Sequence, residues 1–226
     1  SGRFLTQRTH PHMSQLSALW NANGGLTLKA DGFEALEVPV PQADSDLRGV
    51  TIWRDTLRVP DAGDEAAGWL SRFIDQRVRL VHVPLARART TESGYGRDDD
   101  KVAFADGYPL LLIGQASLDD ISDKVGRPLE MLRFRPNLVV SGSAAFAEDG
   151  WKRVRIGEVE FRVVKSCSRC ILTTIDPHTG ERDAQREPLN TLMSYRKLEG
   201  GTMFGQNLVN DSHGLLEVGM PVTVLE

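Results

Sequence analysis

A hairpin pattern from Trp151 to Val164 constrains the fold of this chain more than any other stretch. Apolar and polar residues alternate along both arms, Gly157 stands near the turn, and the second arm runs directly into the stretch that holds both cysteines. Alternation with a period of two is typical of antiparallel strands that are buried on one face. Similar alternation at Leu26–Ala30 and Leu36–Val40, after a turn at Asn21–Gly25, predicts a β-meander early in the chain.

Helical patterns are fewer and shorter than the strand patterns. Asp64–Ile74 has acidic residues in its first turn and apolar residues at helical spacing, so it predicts an amphipathic helix. Ser117 predicts the N-cap of a second helix that ends near Gly126. A short helix is expected around Leu129–Leu132, and a further one, Leu189–Tyr195, follows Pro188 because proline favours the first turn.

The remaining strand-like runs predict a mainly β fold with peripheral helices, in the α+β class. They are Phe4–Pro11, Gly49–Asp55, Arg79–Val83, Leu110–Ile113, Leu138–Ser141, Met203–Val209, Leu215–Gly219 and Pro221–Leu225. Ala86–Lys101 is charged and aperiodic, which predicts a loop. We therefore expect a β-barrel-type domain over residues 101–226 and a smaller N-terminal portion over residues 1–100.

Composition and charge narrow the classes of function. Of 226 residues, 40% are hydrophobic and 26% are charged, which are ordinary values for a globular domain. The formal net charge of -4 and the pI near 5.8 argue against nucleic acid as a partner. No apolar run reaches the length of a spanning helix, and the first residues lack a signal-peptide core. We expect a cytoplasmic protein without nucleic-acid or membrane partners.

The two cysteines, Cys167 and Cys170, are the main functional clue. A Cys-x-x-C pair after a strand is found in thioredoxin-like proteins, where it works through a lowered thiolate pKa. A zinc site needs two further ligands, which His178 and His213 do not supply at suitable spacing. In the alternative interpretation, one or both thiols are buried and chemically inert. The neighbouring Lys165 and Arg169 favour an anion or a thiolate, so the residues alone leave redox, ligand and structural roles open.

A second polar group follows the predicted short helix. Arg133, Arg135 and Asn137 flank Pro136, and Gln206 with Asn207 stand on a later strand. Guanidinium forks and amides suit a phosphate or the polar edge of a heterocycle. In the alternative interpretation, Asn137 caps a turn and the arginines are solvated at a rim. No Gly-rich phosphate loop and no nucleophile elbow is present in the sequence.

Four motifs in this order resemble the MOSC domain, the C-terminal domain of molybdenum cofactor sulfurases. They are Arg135–Gly142, Cys167–Gly180, Glu187–Leu192 and Phe204–Asn207. The resemblance is strongest to the branch of amidoxime-reducing and hydroxylaminopurine-resistance proteins, and it covers essentially the whole chain. Residues 1–100 resemble the N-terminal β-barrel portion that accompanies this domain. The family's Tyr-Pro-Val-Lys-Ser and Asp-Arg-Arg-Trp segments are absent, so we expect weaker cofactor binding or a piece of a longer protein.

The resemblance implies a β-barrel that holds a molybdopterin cofactor with a protein thiolate on the molybdenum. The metal ligand and catalytic residue of that branch falls on Cys170, whereas Cys167 falls on a bystander position. The implied cofactor-binding residues are Ser168 and Arg169 beside the metal, and Arg135, Asn137, Asn207, Asp106 and Gly107 around the phosphate or pterin. A soft thiolate is a reasonable ligand for a transition metal.

The resemblance also implies partners. The substrate would be a small N-hydroxylated compound, such as an amidoxime, a hydroxylamine or an N-hydroxylated base. Electrons would come from a redox partner, either a ferredoxin-type [2Fe-2S] domain or a flavoprotein reductase, or from a missing segment, because this chain lacks the four cysteines of such a cluster. The alternative is a non-catalytic module that carries sulfur as a persulfide on Cys170, or carries the cofactor itself.

Overall fold

The computed structural model describes residues 2–43, 45–92 and 94–226, and the described chain divides into two compact units. One unit extends to Arg89 and includes Ile175–Arg182, and the other comprises Thr90–Thr174 and Asp183–Glu226. No helix among the described residues is long and apolar enough to cross a membrane.

The first unit contains a meander, a hairpin and one α-helix. The meander is an antiparallel sheet of β1 (Ser17–Trp20), β2 (Leu26–Lys29) and β3 (Leu36–Val38), as the alternation predicts. The hairpin pairs β4 (Leu47–Ile52) with β5 (Asp55–Pro60). Helix α1 (Asp64–Ile74) has the predicted bounds. Its buried face, which includes Trp69 and Leu70, packs in one cluster with Leu28 and Val38, so the helix covers the meander.

Two predicted strands of this unit are wrong. Within Phe4–Pro11 the backbone N–H groups of Thr9 and His10 both donate to Thr6 O, so the segment turns and leads into a 3-10 helix, Pro11–Gln15. Arg79–Val83 is not a strand, because its regular pairing is limited to one bridge from Val81 to Asp61. Apolar spacing over five to eight residues does not show whether a pairing partner is available.

The second unit is built on one large sheet with the strand order β14-β10-β11-β13-β8-β9, and β12 adds to β13. All pairs are antiparallel except β8 with β9. The bounds are β8 (Leu110–Gly114), β9 (Leu138–Val140), β10 (Arg153–Ile156), β11 (Val159–Ser168), β12 (Lys197–Leu198), β13 (Gly201–Asn210) and β14 (Val222–Val224), and a separate pair is formed by β6 (Arg89–Thr90) and β7 (Lys101–Val102). The predicted strand at Leu215–Gly219 is absent, and Met220 N–H closes a turn onto Glu217 O instead.

The large sheet curls around one hydrophobic core. Leu112, Phe161 and Leu208 from its central strands share that core with Val140 from one edge strand and Val222 from the other. Because both edges contribute to the same cluster, the sheet is a nearly closed barrel. The prediction of a mainly β fold with peripheral helices is confirmed.

Helices α2 (Gln115–Val125) and α3 (Leu189–Tyr195) cover the other face of the sheet, where Ile121 and Leu192 pack with Phe204. The predicted end of α2 is correct, since Gly126 has φ 78°. The predicted cap is wrong: the N-cap is Gly114 and Ser117 lies inside the helix. The short helix expected around Leu129–Leu132 is a 3-10 turn at Met131–Phe134.

Two irregularities in the β11–β13 ladder determine the geometry at its end. The register shifts between Val163 and Lys165 and again between Ser166 and Ser168. Opposite the second shift stands Gly205, with φ 80°, where an added Cβ would lie 2.9 Å from Leu112 O and 2.7 Å from Ile113 Cγ1. Bulges of this kind redirect a strand, and a positive φ with so little space requires glycine. The first shift precedes Cys167, the second spans it, and Cys170 lies in the loop after β11.

Candidate functional site

The end of β11 and the loop after it carry the two cysteines. Cys167 is the next-to-last residue of β11, and Cys170 comes directly before a 3-10 helix, Ile171–Thr174. Both are thiols rather than halves of a disulfide, and both are half-buried. The carbonyl of Cys170 accepts hydrogen bonds from the backbone N–H and the hydroxyl of Thr173, each at 3.1 Å. The loop is therefore held by its own backbone.

Arg169 connects this loop to two other segments. Its backbone N–H donates to Thr202 O on β13 at 2.7 Å. Its guanidinium donates to Cys167 Sγ at 3.0 Å and to Phe134 O at 2.7 Å, and it lies 5.5 Å from the centroid of the Phe134 ring. The Nε–H of Arg169 is buried and has no hydrogen-bond partner among the described residues. A charged donor in that state provides a position for an acceptor from outside the chain.

The predicted residues Arg135 and Asn137 follow Phe134 and therefore lie near the cysteine loop. Arg135 is exposed and adopts the left-handed conformation, with φ 55°. Asn137 accepts the backbone N–H of Leu111 on its Oδ1 and donates its own backbone N–H to Leu111 O, both at 2.9 Å. The carboxamide oxygen of Asn137 thus fixes the start of β9 against β8, which leaves its Nδ2 group for other contacts.

Asn207 lies in one row of cross-strand neighbours with Leu111 and Lys165. Asn207 on β13 is paired with Lys165 on β11 and with Leu111 on β8. Directly paired residues of antiparallel strands project to the same face, so Lys165 and Asn207 share a face two residues before Cys167. Asn207 is half-buried, and its carboxamide forms no hydrogen bond to any residue that the structure describes. It is an available donor and acceptor beside the loop.

Gly107 reaches this row through Glu92, a residue that the sequence did not indicate. Gly107 O accepts the backbone N–H of Glu92 at 3.3 Å, and the Glu92 carboxylate accepts Lys165 Nζ at 2.7 Å. The same Nζ lies 4.6 Å from the centroid of the Tyr95 ring. Asp106 itself is exposed. Sequence reasoning missed Glu92 and Tyr95 because they stand in an aperiodic loop.

Ser168 is the last residue of β11 and is exposed. Gly201 at the start of β13 approaches it so closely that an added Cβ would overlap Ser168 Oγ, and Gly201 has φ 138°. The hydroxyl of Ser168 therefore lies directly against the first residue of β13. Through hydrogen bonds and strand pairing, the region around the cysteine loop thus includes Ser168, Arg169, Asn137, Asn207 and Gly107, whereas Arg135 and Asp106 are exposed neighbours of it in sequence.

Comparisons with known families decide the membership of this chain. A model of the MOSC domain matches residues 99–223, and a model of the MOSC N-terminal beta barrel domain matches residues 1–77. The chain belongs to the MOSC family. The resemblance drawn from the four motifs is confirmed. The boundary predicted between residues 100 and 101 stays a prediction, as do the roles of the individual site residues.

Curated MOSC relatives cover nearly the whole chain. "Mitochondrial amidoxime-reducing component 1" of Mus musculus is 37% identical over 99% of this chain and 69% of its own length. The proteins of the same name from Danio rerio and Homo sapiens are each 35% identical, over 98% and 99% of this chain and 70% of their own lengths. A solution structure from Bordetella bronchiseptica matches at 26% identity over 39% of this chain and 70% of that chain, with a TM-score of 0.35 that supports no statement about fold.

Proposed function

We propose that this MOSC chain binds a molybdenum cofactor (molybdopterin) and reduces N-hydroxylated compounds, with Cys170 as the metal ligand. The observation that carries the proposal is the similarity, over nearly the full chain, to proteins named amidoxime-reducing components. Amidoximes, hydroxylamines and N-hydroxylated bases share an N–O bond whose reduction needs two electrons and two protons and releases water.

The residues around the cysteine loop are chemically suited to such a cofactor. The buried Nε–H of Arg169 lacks an acceptor among the described residues, and an anionic or carbonyl-bearing group would supply one. The carboxamide of Asn207 on β13 and the hydroxyl of Ser168 on β11 add neutral donors. The thiol of Cys170 provides the soft ligand that a transition metal accepts. Bound there, the cofactor supplies a redox-active metal that delivers electrons to the N–O bond.

The chain's own residues would then hold and orient the cofactor, and they would not perform the redox step themselves. Arg169 spans Cys167 Sγ and Phe134 O, so it keeps the cysteine loop against the segment that carries Arg135 and Asn137. Lys165 is engaged by Glu92 and Tyr95, which fixes a positive charge beside the row of Asn207. Positioning of this kind is what a cofactor enzyme requires from its protein.

The electron donor would be a partner protein or another segment of a longer protein, because the two cysteines of this chain cannot hold a [2Fe-2S] cluster that needs four ligands. A ferredoxin-type domain and a flavoprotein reductase are the two donor classes proposed. The cytoplasmic location stays a prediction, and "mitochondrial" is part of the names of the relatives.

The test is the molybdenum and pterin content of the protein expressed in cells that make molybdopterin. Wild-type protein should contain both and should reduce benzamidoxime with an artificial electron donor. Cys170→Ala should lose this activity with an unchanged circular dichroism spectrum, and the matched variant Cys167→Ala should keep most of it.

Wild-type protein without molybdenum would refute the proposal, and activity retained by Cys170→Ala would move the ligand elsewhere. A mass increase of one sulfur atom on Cys170 in the native, molybdenum-free protein would instead support the sulfur carrier.

A further inference from the structure

A cleft of about 440 Å³ opens in the second unit beside β10 and β11, away from the cysteine loop. Its charged lining consists of Arg97, Lys152, Arg153, Arg162 and Glu226. Arg162 precedes Cys167 by five residues of β11, which is at most about 17 Å at roughly 3.3 Å per residue. The arginines of the cleft therefore lie apart from the cysteine loop, and Tyr95, which also lines the cleft, connects it to Lys165.

Two arginines lie side by side in this cleft, and the repulsion between their like charges is unfavourable. Arg153 on β10 and Arg162 on β11 are directly paired across the strands, and like charges in such pairs repel. Carboxylates at the margin hold each guanidinium in place. Arg162 donates to both oxygens of Asp100, at 2.7 and 3.1 Å, and Arg153 donates to Glu160 at 2.6 Å. The structure thus fixes two cationic groups side by side.

The surrounding carboxylates do not use all of these donors. Three arginines share the carboxylate of Asp211, which lies 2.7 Å from Arg162, 3.1 Å from Arg97 and 3.9 Å from Arg153. The Nε–H of Arg153 is buried without a hydrogen-bond partner, and Lys152 forms no ion pair, within the described parts of the chain. The lining therefore keeps unused donors, the Nε–H of Arg153 and the ammonium group of Lys152, between its ion pairs.

We propose that this cleft binds the phosphate group of a small molecule that is distinct from the molybdenum cofactor. A phosphate presents several acceptor oxygens with up to two negative charges, which matches adjacent guanidinium groups and an ammonium group. The cleft has room for a phosphate with a small organic group attached. A phosphate group is carried both by free phosphorylated metabolites and by the cofactor, and the second experiment distinguishes the two.

The first experiment is calorimetric titration of cofactor-free protein with inorganic phosphate at low ionic strength, with chloride as the reference anion. Wild-type protein should bind phosphate saturably. Arg153→Gln should weaken binding by about tenfold, the typical effect of losing a charge-assisted hydrogen bond. Glu226→Gln should tighten it, because this change removes a negative charge from the lining.

Arg155→Gln is the matched control. Arg155 is on the same strand as Arg153 and donates to the same Glu160, but it does not line the cleft. Arg155→Gln changes the net charge of the protein by the same amount as Arg153→Gln. Wild-type affinity in this variant supports the proposal. Equal weakening in Arg153→Gln and Arg155→Gln, or no saturable binding of phosphate, overturns it.

The second experiment identifies the source of the phosphate. In cells that make molybdopterin, Arg153→Gln should carry as much cofactor as wild type. A parallel loss of cofactor would assign the cleft to the cofactor and overturn the proposed separate site. Since phosphate binding is read on cofactor-free protein, it does not depend on whether the proposed reductase activity is correct.

Discussion

Arg169 Nη1 donates to Cys167 Sγ at 3.0 Å while its Nη2 donates to Phe134 O at 2.7 Å. One guanidinium therefore joins the cysteine loop to the segment before β9. Its planar fork reaches two acceptors in different directions, which an ammonium group on a flexible stem does not reproduce.

Arg169→Lys should consequently lower cofactor content several-fold while the protein stays folded. The measurement is molybdenum per chain together with the thermal unfolding midpoint. Arg155→Lys is the control, because Arg155 is exposed on β10 and donates to Glu160 rather than to the cysteine loop. Full cofactor content in Arg169→Lys would show that positive charge alone is sufficient at this position.

Gly205→Ala should destabilise the second unit by more than the usual cost of a positive φ, which is about 1–3 kcal/mol. The added Cβ would also press on Leu112 O and Ile113 in the middle of the sheet. Gly142→Ala provides the control, since Gly142 has φ 87° but nothing within 4 Å of an added Cβ. The free energy of unfolding in urea should be much lower for Gly205→Ala than for Gly142→Ala. Equal losses of stability in the two variants would mean that the atoms around Gly205 can shift to make room.

Glu148→Ala should destabilise the start of α2. Glu148 is fully buried, and its Oε1 accepts the backbone N–H of Gly114 at 2.9 Å and the hydroxyl of Ser117 at 2.7 Å. Alanine leaves these donors without a partner, at about 1–3 kcal/mol each. Glu148→Gln keeps an acceptor oxygen and should lose much less. Chemical unfolding of the two variants distinguishes a hydrogen-bonding role from simple space filling, for which they would behave alike.

Acid should weaken the second unit partly through Asp100. Burial alone would raise the pKa of Asp100, but hydrogen bonds from Arg162 and from the backbone N–H of Arg97 outweigh burial and hold the pKa below its ordinary 3.8. A carboxyl whose pKa is lower in the folded state stabilises the fold above the unfolded value. That stabilisation disappears as pH falls through the folded value.

Wild type and Asp100→Asn should therefore differ most in urea unfolding at pH 5 and converge below pH 4. Asp98→Asn is the control, because Asp98 is exposed and forms no ion pair with the described residues. A difference between wild type and Asp100→Asn that stays constant from pH 5 to pH 2.5 would contradict the linkage.

Elements with local signals could be predicted from the sequence. Helix α1 carries its acidic first turn and apolar stripe within eleven residues, and Pro188 marks the start of α3. Phe4–Pro11 shows the opposite case, because this extended-looking run pairs with β4, among the described residues, only through Phe4 N–H to Thr51 O and then turns on itself. The carboxylate of Glu148, which accepts hydrogen bonds at the N-terminus of α2, could not be predicted either, since Glu148 lies 34 residues from Gly114.

The candidate site was predictable where motifs mark it and not where it depends on long-range pairing. The cysteine loop and Arg135 stand in recognisable motifs. The ion pair of Lys165 with Glu92 spans 73 residues, and no local pattern marks Glu92. The register shifts that place Lys165 opposite Asn207 also arise from the pairing of distant strands.

The shared core of the curled sheet also has a consequence for synthesis on the ribosome. Strand β14 is translated more than eighty residues after β9, yet Val222 packs on the same cluster as Val140. While the chain is still emerging, Val154 and Ile156 lack the cover that β14 provides. Nascent chains of this protein that stall before Val222 should therefore expose apolar strand surface and be good clients of ribosome-associated chaperones.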